Sequence, residues 1–176
     1  DPNASKTTGT VTATLTNIYR PEDKYGEISI DLSKEWYAPD GTKHTITEEF
    51  GGVQVALYKT RWDYVNGAWT KGSTERRETV TLAEANRWSA KFEGLETYTV
   101  AMENGVVQNA HAYTYSLREL NVPSGFYCQL AYSGLPQNPS EYFTDGNPAN
   151  PKTNAENARG TATLRNYEIA KLTIEA

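Results

Sequence analysis

The chain is poor in the residues that most often staple a fold or carry a reaction. Cysteine occurs once, at Cys128, so no disulfide can form within the chain. A domain in oxidising surroundings would then need another kind of staple, and Cys128 itself reads as a small buried hydrophobe. Histidine is limited to His44 and His111, neither with a partner at metal-ligand spacing, and no Gly-x-Ser-x-Gly elbow occurs. Zinc chemistry and His-based nucleophilic triads therefore lack their parts. Paired carboxylates such as Glu48-Glu49 fall on opposite faces of an extended chain and read as solvated charge. No turnover enzyme and no cofactor is expected. Lys and Arg number 17 against 22 Asp and Glu, a formal charge of −5, and no basic stripe is present to neutralise phosphates. Nucleic acid is excluded as a partner on that ground. Signal peptide, membrane-spanning run and cell-wall sorting signal are all missing, and the first residue is not methionine, so the chain reads as an excised piece of a longer secreted protein without membrane contact of its own.

What the chain does have is extended-strand character. Twelve tyrosines and many threonines lie in alternating segments, a composition that favours β-structure. A single short patch, Ala83 to Trp88, could form a helical turn. A length of 176 residues suits one domain with a sizeable core, or one domain with a fragment of another.

Three of the alternating segments place a polar residue on the apolar side. Ile28, Ile30, Leu32, Lys34 and Trp36 share one parity; Tyr113, Tyr115, Leu117 and Glu119 share another; Ala162, Leu164 and Asn166 a third. Period-two alternation directs an amine, a carboxyl and a carboxamide toward one core. Burial of a lone charge costs several kcal/mol, so such groups neutralise, pair or react. Desolvation lowers a lysine pKa and raises that of a glutamate, which would set a free Lys34 amine beside a protonated Glu119. A Glu119 hydrogen-bonded to the Asn166 carboxamide could then polarise its carbonyl, relay protons from the attacking nitrogen and help ammonia leave, giving a Lys–Asn isopeptide bond. The plainer alternative is a Lys34–Glu119 ion pair with the lysine stem laid on the core, and an Asn166 that satisfies backbone groups.

The order of these segments resembles a known family. Ile30 to Trp36 with its Lys-x-Trp, then Val53-Gln54-Val55-Ala56-Leu57-Tyr58, Val80 to Trp88, Phe92-Glu93-Gly94-Leu95, Tyr115-Ser116-Leu117-Arg118-Glu119, Val122-Pro123-Ser124-Gly125-Phe126-Tyr127 and Ala162 to Asn166 follow the motif order of the Cna B-type domains of Gram-positive surface adhesins and pilins. The likeness runs from about residue 27 to 170, with Phe126 where the family has tyrosine and a chain long for one such domain. It implies an all-β, immunoglobulin-like (Cna B-type, prealbumin-like) β-sandwich over residues 27–176. It also implies an autocatalytic isopeptide bond with Lys34 as nucleophile, Asn166 as electrophile and Glu119 as proton shuttle. The function implied is that of a stalk module of an adhesin or pilus-like protein on the cell wall of a Gram-positive bacterium, with neighbouring domains of the same protein as its partners.

Residues 1–26 form an N-terminal extension with two readings. Thr12 to Asn17 repeats Thr161 to Asn166 at five of six positions, and Asn17 precedes Asn166 by 149 residues. The extension is then the closing strand of a preceding copy, or an added strand of the same sandwich, chance similarity of Thr-rich strands being a third explanation. Trp62, Tyr64 and Trp69 flank the hairpin signal Asn66-Gly67. They either stack on a host glycan or protein ligand or pack across their own hairpin. The stretch Ser133 to Gly160, rich in Pro, Asn and Gly, is expected to be a long surface loop rather than core. Its Asp145-Gly146-Asn147 lacks the acidic spacing and closing glutamate of a calcium loop, so no metal is expected.

Overall fold

In the computed structural model, residues 22–45, 47–152 and 158–171 are described. Among the described residues there are seven strands: β1 (Lys24–Tyr37), β2 (Val53–Val65), β3 (Ala68–Leu82), β4 (Ser89–Glu103), β5 (Val106–Glu119), β6 (Phe126–Ser133) and β7 (Ala158–Glu168). They join in the order β3-β2-β5-β4-β1-β7-β6, and the only regular turns of helix among the described residues are short 3-10 segments at Glu84–Asn86 and Pro139–Tyr142. The fold is all-β, and β1 starts three residues ahead of the boundary expected at Glu27. The repeat at Thr12 to Asn17 lies outside the described residues.

The pairing pattern turns one sheet into a sandwich. Strand β4 pairs with β5 only over Tyr98–Glu103, whereas its earlier residues pair with β1 alone, and β5 beyond Ala112 pairs only with β2. The sheet is therefore continuous at the β4–β5 hairpin and splits below it into two leaves, β3-β2-β5 and β4-β1-β7-β6. Backbone groups freed by the split need other partners. Tyr115 Oη donates to the Glu96 carbonyl at 2.8 Å and Leu117 N–H donates to Tyr132 Oη at 2.9 Å, both across the gap.

Between the leaves lies the main core, with Ile28, Ile30, Leu32 and Trp36 of β1 against Val55 and Leu57 of β2, Tyr115 and Leu117 of β5, and Leu164 of β7. A second apolar cluster fills the hairpin end, where Tyr98, Val100 and Ala112 meet Tyr142 and Phe143. Those last two belong to the stretch expected to be loop rather than core. Asn138 caps the turn that Pro139 opens, and the turn delivers Tyr142 and Phe143 to the sheet, with Tyr142 Oη donating to the Tyr113 carbonyl at 2.7 Å. Two hairpins close on Asn66-Gly67 and Asn104-Gly105, all four residues at positive φ, as type I′ turns require.

Candidate functional site

Lys34, Glu119 and Asn166 come from three strands and both leaves. Strand β1 runs parallel to β7 with Lys34 opposite Leu164 and Trp36 opposite Asn166, so Lys34 and Asn166 are diagonal neighbours on the same inward face. Glu119, the last residue of β5, reaches them from the other leaf. Lys34 Nζ donates to Glu119 Oε2 at 3.0 Å, and Asn166 Nδ2 donates to Glu119 Oε1 at 2.9 Å. The Lys34 and Glu119 side chains are 0% and 1% exposed, and Asn166 is fully buried. Burial holds the Lys34 amine below its ordinary pKa, opposed by the charge and hydrogen bond of Glu119.

One carboxylate thus lies between the amine that would lose a proton and the amide nitrogen that would gain one. The hydrogen bond expected between Glu119 and the Asn166 carboxamide is present, and it is made through the amide nitrogen. Asn166 Oδ1 is buried and has no hydrogen-bond partner among the described residues.

The walls are apolar. Lys34 Nζ lies 4.5 Å from the centroid of the Trp36 ring, and Trp36 packs edge-on against Trp88 and Phe126 and at a tilt against Phe50. Cys128 of β6 pairs in register with Asn166. The next pair, Tyr127 and Tyr167, stacks outside the sheet, so Cys128 faces inward beside the site. Its thiol is pushed up to about 12, first by burial and then by the nearby Glu119. Sequence alone gave no signal for this placement, because it depends on the β6–β7 register. Trp36 was visible as a motif residue, not as a wall of the site.

The aromatic hairpin stands elsewhere. Trp62, Tyr64 and Trp69 pack half-buried against the second apolar cluster. Trp62 Nε1 donates to Thr114 Oγ1 at 2.9 Å, Trp69 Nε1 to the Gly146 carbonyl at 3.0 Å, and Trp69 stacks on Phe143. Side-by-side exposure, which stacking on a sugar needs, is not what these rings show. No group of three or more metal-ligating side chains occurs among the described residues, nor does any helix there have the length and apolarity to cross a membrane.

No protein-family model matches the chain, and no curated protein matches it. Among solved structures, the chain is similar to two B repeat units of the collagen-binding protein Cna of Staphylococcus aureus, with 17% identity, a TM-score of 0.36, and coverage of 78% of this chain and 25% of that one. It is similar to the major pilin of Streptococcus pyogenes at 11% identity and TM-score 0.39, over 82% of this chain and 49% of the pilin. For the Corynebacterium diphtheriae major pilin SpaA the values are 13% and 0.39, over 83% and 31%. The chain spans a quarter to a half of the length of these structures.

Proposed function

We propose that the chain is a load-bearing stalk module of the Cna B type, from an adhesin or pilus-like protein on the surface of a Gram-positive bacterium, locked by a Lys34–Asn166 isopeptide bond. The observation that carries this reading is the shared carboxylate: a buried amine and a buried carboxamide hydrogen-bonded to the two oxygens of Glu119. An ordinary ion pair has no use for the asparagine, whereas amide exchange uses all three groups.

The steps conserve protons and charge. Lys34 passes a proton to Glu119, and the freed Nζ lone pair adds to Asn166 Cγ. Glu119 gives its proton to Nδ2, the Cγ–Nδ2 bond breaks, and ammonia leaves. The carboxylate then takes a proton from the new amide nitrogen, so the pair's one shared proton ends on Glu119. The reaction happens once per molecule, and its result is mechanical. Neighbouring domains of the same protein would be the partners through which tension arrives and departs.

Intact-mass measurement of the purified chain tests this. The expected result is a deficit of one ammonia in the parent and the full calculated mass in Glu119→Ala, with one branched peptide joining the Lys34 and Asn166 segments. Peptide mapping is required because succinimide formation at Asn66-Gly67 or Asn104-Gly105 would remove the same mass. A parent of full mass would leave an ordinary buried polar trio.

A further inference from the structure

Two buried polar atoms near the site are orphans, and they belong to neighbouring residues. Asn166 Oδ1 is an acceptor with no donor, and Trp36 Nε1 is a donor with no acceptor, among the described residues. Trp36 and Asn166 are direct register partners on the parallel strands β1 and β7, both inward and at most 1% exposed. An unmet buried donor or acceptor is costly, and two complementary ones on register partners call for a purpose. At rest neither Glu119 oxygen serves the carboxamide oxygen, one accepting from Lys34 and the other from the amide nitrogen, and the proton that Glu119 takes from Lys34 is the one it delivers to Nδ2. Cys128 flanks Asn166 on the other side, but its thiol lies between Glu119 and the Gln129 carbonyl, the latter at 3.8 Å.

Resting on the isopeptide reading, we propose that Trp36 is a catalytic residue of the crosslinking reaction, its indole N–H donating to the carboxamide oxygen as Lys34 adds to Cγ. Addition turns that oxygen from a carbonyl into an oxyanion and moves it out of the amide plane. A hydrogen bond absent from the resting amide and made to the oxyanion lowers the barrier without stabilising the ground state. The face of the same ring borders Lys34 Nζ at 4.5 Å, so one side chain would both shield the amine from water and serve the oxygen. After ammonia leaves, the isopeptide carbonyl retains the bond.

The test compares the parent with a chain carrying benzothienylalanine at position 36, which keeps the shape of the ring and replaces N–H by sulfur. Both are made by cell-free synthesis, sampled over time and read by intact mass, with Trp36→Phe as a second variant. Loss of one oxyanion donor should slow ammonia release roughly 100-fold, while circular dichroism of the isostere matches the parent. An isostere that crosslinks at the parent rate overturns the assignment and leaves the isopeptide reading intact. A parent that never loses ammonia overturns both.

Discussion

Under tension, the crosslinked chain and a chain without the crosslink should differ by a length that can be worked out from the strand positions. The bond would join Lys34 to Asn166 and so remove from the load path the chain between them. That chain is about 130 residues, and at 3.3–3.6 Å per extended residue it holds about 450 Å of hidden length. The parent, pulled by handles at its two ends in a force-clamp or constant-velocity experiment, should show no unfolding step of that size at any force below covalent rupture. Glu119→Ala should unfold and release about 450 Å. Because removal of one partner of a buried pair destabilises by about 3–5 kcal/mol, a second variant is needed in case the first folds poorly. Asn166→Ala, which keeps the Lys34–Glu119 pair of 3.0 Å, should give the same step. A parent that releases the full length would refute the load-path reasoning, whatever the mass spectrum shows.

Two further predictions concern stability. Gly26 sits where β1 shifts register against β4, and a Cβ there would lie 2.3 Å from Tyr98 Cε1 and 2.4 Å from Thr97 Oγ1. Gly26→Ala should therefore cost about 1–3 kcal/mol by overfilling, read by urea denaturation in the Glu119→Ala background, and no loss would mean that the Tyr98 ring moves aside freely. Glu35, on the outer face of β1, is drawn down to about 2, first by its hydrogen bond to Lys43, with Tyr37 and Arg165 adding to it. A depressed carboxyl contributes stability that is present above its unfolded value of 4.5 and is lost as pH falls toward 2. Its cationic partners Lys43 and Arg165 are exposed and Glu35 is partly so, so the advantage of the parent over Glu35→Gln should be about 1 kcal/mol at most at pH 7 in low salt. It should vanish in acid and shrink in salt; an advantage that grew on acidification would reverse the assigned sign.

The polar trio was legible in the sequence because strand alternation has a period of two. A lysine, a glutamate or an asparagine in phase with Ile30, Leu117 or Leu164 must face the same way as they do. Alternation is silent on which strand neighbours which. It could not reveal that β1 and β7 are parallel, that Cys128 pairs with Asn166, or that the carboxamide meets Glu119 through nitrogen. The stretch after Ser133 was misread for a related reason. Its Pro, Asn and Gly residues do mark turns, but turns capped as firmly as that at Asn138 can present Tyr142 and Phe143 to a sheet and bury them. Asn104-Gly105 carried the same hairpin signal as Asn66-Gly67, and both close hairpins here.

The parallel pairing of β1 and β7 is what would make the proposed crosslink mechanical rather than merely stabilising. With the proposed bond in place, tension entering ahead of Lys24 would pull along β1 as far as Lys34, cross to Asn166, and leave two residues later at Glu168, the end of β7. Because the two strands run in the same direction, force enters and leaves along one line. In an antiparallel pair the path would double back and peel the strands apart. The strand from Lys24 to Lys34 already rises about 3.3 Å per residue against a limit of about 3.6 Å, so its ten steps can yield only about 3 Å more. Both apolar clusters apart from the β1 residues lie between Lys34 and Asn166 in the chain, so the proposed bond would spare them the load. A lone cysteine could not build such a connection within the chain; the proposed bond would need only a lysine and an asparagine on parallel neighbours with one carboxylate between them.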